Sequence, residues 1–181
     1  LKGDKHLRKK LLKRFSYLYT GELLSAVMFI ILLFLFNKDF TRLQLYSLTS
    51  FWISFFLLEF LLLQGSIYWY EKWKKLKKEN TIVTSIQIVK NFKNLKKINV
   101  GVIIITMFIF MFDFLTTYSS LPLGSLIVVG FIYIFAILEY INYFHFQLMY
   151  DNFSDIKYLL RSKKLKQSCI SRDFDRTRNP G

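Results

Sequence analysis

Along the chain, long apolar runs alternate with three basic blocks, and four of the runs are long enough to cross a membrane. A hydrocarbon core about 30 Å thick takes roughly 20 consecutive apolar residues as helix, and a helix closes its own backbone hydrogen bonds where no water reaches. The runs place spans over Phe15 to Phe36, Leu43 to Tyr70, Ile98 to Tyr118 and Pro122 to Tyr150. The fold class they predict is an all-α membrane protein with four transmembrane helices. Its parts are a basic N-terminus (1–14), a first hairpin (15–70), a basic connection (71–97), a second hairpin (98–150) and a tail (151–181).

The positions of Lys and Arg add an orientation. Seven fall in Lys2 to Arg14, nine in Lys72 to Lys97 and eight in Lys157 to Arg178, against only Lys38 and Arg42 after the first span and none between Ser119 and Pro122. Basic residues accumulate on the cytoplasmic side, so both termini are expected inside. Tyr68, Trp69, Tyr70, Trp73 and Tyr150 then fall at the inner headgroup level. The first span lacks a small-residue cleavage pattern after Phe36 and reads as a retained helix. A bacterial plasma membrane is the expected location, an organelle inner membrane the alternative.

Two further helices are expected in the basic regions. Ile82, Ile86, Val89, Phe92 and Leu95 recur at spacings of three and four, the pattern of an amphipathic helix lying on the inner leaflet or packed on its own bundle. Ile156, Leu159, Leu160 and Leu165 repeat the pattern in a helix from about Ser154. Lys90, Lys93 and Lys97 of the first, with Lys163 and Lys164 near the second, are expected to meet anionic headgroups at about 1 kcal/mol each. The mixed-charge stretch from Ser171 to Gly181 is expected to be flexible unless a partner orders it.

Shifting the chain by 80 residues aligns Leu58-Glu59-Phe60 with Leu138-Glu139-Tyr140 and Tyr70-Glu71 with Tyr150-Asp151. The match suggests a duplicated two-helix hairpin, with parallel repeats about an axis along the membrane normal. Its five identities barely exceed what so biased a composition gives by chance.

Carboxyl groups inside spans are the sharpest chemical clue, because an ionisable group in lipid is costly unless it faces protein or water. Glu59 and Glu139 each lie eleven residues from the inner Tyr, about 16 Å along a helix and near the midplane. With no Lys or Arg at that depth, they are expected to be protonated or to share a proton. They either handle a proton or cation, with Asn142 one turn from Glu139, or clamp the second helix to the fourth. Asp113 joins a weaker polar stripe with Thr106 and Thr117. His145 sits nearer the inner interface, where it titrates near neutral pH or serves as a packing residue. Glu22 lies close to its interface and carries little information.

Composition excludes more than it assigns. With 181 residues, 53% of them hydrophobic, and a net charge of +14, an ordinary soluble domain is not expected. One cysteine, Cys169, rules out an intrachain disulfide and reads as a plain thiol. The chain has no zinc-protease, nucleophile-elbow, Walker or dinucleotide motif, so neither an enzyme nor a cofactor or metal is expected. Topology accounts for the charge without nucleic acid. The expected function is that of a non-catalytic subunit or scaffold of a homo- or hetero-oligomeric assembly, in contact with an anionic inner leaflet. A small proton or cation channel or carrier using Glu59 and Glu139, including a pore-forming defence effector, is the alternative. A sensor or anchor recruiting a cytoplasmic partner is the second.

Overall fold

A computed structural model describes residues 2–39, 41–117, 123–148, 157, 161 and 165–178. Among these the protein is all-helical: α1 (Lys2–Asp39), α2 (Thr49–Lys78), α3 (Ile86–Thr117), α4 (Leu123–Phe144) and α5 (Cys169–Arg178). Four of these helices, α1 to α4, are long and apolar enough to cross a membrane. Two short 3-10 turns, Thr41–Leu43 and Leu45–Ser47, join α1 to α2, with Gln44 between them in the left-handed region at φ 44°.

The helices overrun several expected boundaries, chiefly towards the basic end, with α1 also running three residues past Phe36. α1 begins within the basic N-terminus, and α3 starts at Ile86, so the expected surface helix is the first part of α3. Of its expected apolar stripe, Val89 and Phe92 are buried and Leu95 packs partly against the bundle core, whereas Ile86 is 65% exposed and Ile82, also exposed, lies before the helix. At about 1.5 Å per residue, the 32 residues of α3 extend about 48 Å, well beyond a 30 Å core. In the other direction α4 stops at Phe144, short of Tyr150. The next residues run alongside the segment before α5, with Gln147 N–H donating to the Lys166 carbonyl (2.8 Å) and Ser168 N–H to that of His145 (3.1 Å). Most of the helix expected from Ser154, with Lys163 and Lys164, falls outside the described residues.

α2 is the hub. Of its most apolar 18-residue stretch 61% is buried, against 6% for α1, 17% for α3 and 28% for α4. Its Ser66 hydroxyl donates to the Tyr19 carbonyl of the antiparallel α1 (3.1 Å), and its Gln64 and Asn99 of α3 exchange two amide hydrogen bonds (2.9 and 3.1 Å). α4 runs parallel to α2, with Tyr143 seated on Gly65. A Cβ added at Gly65 would meet the Tyr143 hydroxyl at 2.5 Å, so glycine is what lets the ring in.

Helix ends need partners for their orphan backbone groups. The residue before α2 is Leu48, which cannot cap, and Asp113 of α3 substitutes: its Oδ2 accepts Ser50 N–H at 2.7 Å. At the other end Arg8 of α1 donates to the Leu76 and Lys77 carbonyls (3.4 and 3.1 Å). An acid at the N-terminus and a base at the C-terminus both complement the dipole of α2.

Aromatic clusters flank the apolar zone. Tyr46, Phe51, Trp52, Phe55 and Phe56 pack at the far end, and Phe15, Tyr19, Trp69, Tyr70 and Trp73 near the basic end. Trp and Tyr are the side chains that gather at membrane–water interfaces.

Candidate functional site

Of the stretch expected to be flexible, Ser171 to Arg178 belongs instead to α5, folded onto the basic end of the bundle, and residues 179–181 lie outside the described residues. Ser168 caps the helix, its hydroxyl oxygen accepting Ser171 N–H at 3.1 Å. Ile170, Asp173, Phe174 and Thr177 recur at spacings of three and four, so they share one face. That face is the docked one: Ile170 is buried, Phe174 stacks on Phe144 at the end of α4, and Thr177 accepts from Lys93 Nζ of α3 (3.0 Å).

Asp173 is the polar centre of this contact. Its Oδ2 accepts the Tyr68 hydroxyl (2.8 Å) and the Thr84 hydroxyl (2.6 Å) and pairs with Lys72 Nζ (3.2 Å), while Oδ1 pairs with Arg176 (3.2 Å). Arg176 also donates to the Thr84 carbonyl at 3.1 Å. Burial alone would raise the Asp173 carboxyl, but the hydrogen bond from Thr84, the Lys72 ammonium and the Tyr68 hydroxyl outweigh it and hold its pKa below the ordinary carboxylate range. One side chain therefore ties α5 to α2 and to the α2–α3 connection.

Beneath α5 lies a cavity of about 490 Å³ that straddles the level of the aromatic cluster. Leu11, Phe15, Leu18, Trp69 and Ile170 give it an apolar floor, and half-exposed Ile82 and Val83 carry it to the surface. Its walls carry five cationic side chains, Arg14, Lys72, Lys166, Arg172 and Arg176, against the two carboxyl groups of Glu22 and Asp173. Glu22 is not the uninformative residue its position suggested, for it accepts a short hydrogen bond from the Tyr143 hydroxyl.

The residues expected to handle ions are not gathered into one site. No hydrogen bond joins Glu59 to Glu139. Glu59 lies about 180° around α2 from Ser50, which faces α3, at 100° per residue. The Ser66–Tyr19 contact sets an antiparallel register that carries buried Ala26 of α1 to the level of Glu59. Its Oε1 is buried without a hydrogen-bond partner among the described residues. Glu139 accepts from Asn142 Nδ2 (3.3 Å), the neighbour one turn on. Between α2 and α4 the space is filled by Leu58, Leu61, Leu62 and Ala136, none more than 2% exposed.

Asp113 serves as the cap already described. Thr106 does not satisfy it, because that hydroxyl returns to the Val102 carbonyl of its own helix (2.8 Å), and the Thr117 side chain lies outside the described residues. His145 sits just past α4 against the Tyr140 ring, and burial, with the Lys96 ammonium, lowers its pKa. Of the lysines expected at headgroups, Lys93 is engaged with Thr177 and lies over the Phe174 ring, whereas Lys90 and Lys97 are exposed beside a shallow basic groove. No group of three or more His, Cys, Asp or Glu among the described residues could hold a metal ion.

Comparison with protein-family models, curated proteins and solved structures finds no match to the chain.

Proposed function

We propose that the chain is a non-catalytic membrane subunit, with its basic end in the cytoplasm, that works by assembling with itself or with other membrane chains. The observation that carries this reading is the uneven burial of the spans: α1 packs on α2 and touches α4 through Glu22 and Phe29, yet only 6% of its apolar stretch is buried. Phe34 of α1 is 68% exposed, and Phe108 and Phe112 of α3 are 63% and 65% exposed. Between membrane helices, association comes from packing and interhelical hydrogen bonds. Broad aromatic faces of this kind offer packing area to a neighbouring chain.

Disulfide trapping tests it. In a Cys169→Ser background, Phe34→Cys and Phe112→Cys are introduced singly into protein held in native membranes. Self-assembly predicts rapid covalent dimers from one face and few from the other. Equal, slow trapping from both, with monomer mass in lipid nanodiscs over a range of protein-to-lipid ratios, would reject self-association.

A second reading, proton or cation handling, draws on one observation: the buried, unpartnered Oε1 of Glu59. An ionisable side chain left without a partner within a span is a functional-site hypothesis by default. Proteoliposome flux that is lost in Glu59→Gln at equal insertion would favour it over the assembly reading, and absence of flux in the parent would reject it for the isolated chain.

A further inference from the structure

We propose that the cavity under α5 is a water-filled inlet from the basic face to Glu139, which makes this carboxyl a proton-binding site open to one side of the membrane. The inference deepens the proton-handling reading and rests on it for its use, with Glu139 rather than Glu59 exchanging with water. At about 490 Å³ the cavity holds many times the roughly 30 Å³ that one water takes in the liquid. Lys72 and Arg176 in its wall are already paired with Asp173, so the space suits water better than an anion. From Lys166 and Arg172 at the basic end it reaches down to Asn142, Tyr143 and Glu22.

Glu139 lies just behind that inner wall. Asn142 lines the cavity and donates its Nδ2 to Glu139 Oε2 at 3.3 Å, so one amide separates the carboxyl from the cavity. Phe135 and Tyr143, four residues to either side of Glu139, meet Phe29 and Glu22 of α1. Residues four apart share a helix face, so Glu139 faces α1 as well, the helix that supplies Leu18 and Glu22 to the cavity wall. The same two contacts bring Glu139 level with Ser25 and Ala26, whose small side chains leave the carboxyl room. Glu59 lines no part of the cavity, and its Oε1 is buried. An acid in the apolar zone exchanges its proton where it faces water. At Glu139 the proton passes to a cavity water, leaves a carboxylate behind and returns by the same route.

Cysteine accessibility in oriented vesicles tests this. In a Cys169→Ser background, Glu139→Cys and Glu59→Cys are treated from either face with a membrane-impermeant methanethiosulfonate. The reagent attacks thiolates, which form where water reaches, so Glu139→Cys should react about tenfold or more faster from the basic face than from the other, and than Glu59→Cys from either. Leu18→Trp, which fills the cavity and removes no charge, should slow that reaction severalfold. Equal rates from the two faces, a Glu139→Cys rate as low as that of Glu59→Cys, or indifference to Leu18→Trp in protein that keeps its helical circular dichroism would overturn the proposal. Infrared spectra after mixing with D2O read the native acid. The protonated-carboxyl band removed by Glu139→Gln should shift on deuteration sooner than the band removed by Glu59→Gln; no such band at Glu139, or exchange no faster than at Glu59, would also overturn it. Access and flux are separate readouts: access without flux rejects transport by the isolated chain and leaves the inlet standing, whereas flux without access rejects the inlet alone.

Discussion

Replacing Asp173 by Ala should release α5 from the bundle. The substitution leaves two buried hydroxyls, of Tyr68 and Thr84, without their acceptor, and a net hydrogen bond contributes about 1 kcal/mol. It also strips the carboxylate from Lys72, whose side chain is 11% exposed. Breaking a fully buried pair costs roughly 3–5 kcal/mol, but an ammonium at the edge of the site regains water, so about 1 kcal/mol is assigned to it. The sum of about 3 kcal/mol corresponds to roughly a hundredfold larger population of the undocked state. Cys169, the single cysteine of the chain and the first residue of α5, provides the assay without engineering. When docking recloses faster than the reagent attacks, maleimide labelling follows the open fraction. Asp173→Ala should therefore label faster than the parent, by up to about a hundredfold, the partly exposed docked thiol setting the parent's floor, and Asp175→Asn, an exposed change on the same helix, should label within about threefold of the parent. Labelling of Asp173→Ala at the parent rate would refute the argument that this carboxylate holds α5. The pH dependence has a definite sign. Because the docked carboxyl has the lower pKa, its contribution is complete above the undocked value of about 3.9 and is lost as pH falls through the docked one.

Three other expectations follow from particular contacts. Gly65→Ala places a methyl within 2.5–2.8 Å of three Tyr143 atoms, and overpacking of that kind costs about 1–3 kcal/mol, read as a lowered midpoint of thermal unfolding in detergent. An unchanged midpoint would mean that Tyr143 does not fill the space over Gly65. Asp113→Ala removes the cap of α2 and should cost about 0.5–2 kcal/mol in the same assay, most of it restored by Asn, which keeps an acceptor. His145 has a lowered pKa in the folded state, so stability should decline as pH falls below about 6.5, and His145→Gln should flatten that decline. A parent profile that does not change across that range would contradict it.

The four long helices were legible because lipid demands a run of apolar residues whatever the neighbours do. What lies along the chain is readable in this way; what lies around each helix is less so. Glu59 and Glu139 do fall at similar depth, as the seating of Tyr143 on Gly65 fixes the α2–α4 register, but Glu59 is turned to a different neighbour. The docked α5 was hidden for another reason. Its face, Ile170, Asp173, Phe174 and Thr177, has helical spacing, yet it includes a charge. A charged residue reads as solvent-facing until the Tyr68, Lys72 and Thr84 that receive it, some 90 to 105 residues away, are known. The Gln64–Asn99 pair was equally silent, although Asn99, Thr106 and Asp113 recur every seven residues on α3 and all are buried.

The order of synthesis gives the α5 contact one more consequence. Chains fold from the N-terminus as they emerge, and α5 follows all four spans. During biogenesis the spans must therefore insert while Tyr68, Lys72 and Thr84 still await their partner. That wait is tolerable because all three stand at the basic end rather than in the apolar zone. The contact closes last, and a nascent chain halted before residue 169 would carry a complete set of spans with the cavity open to water.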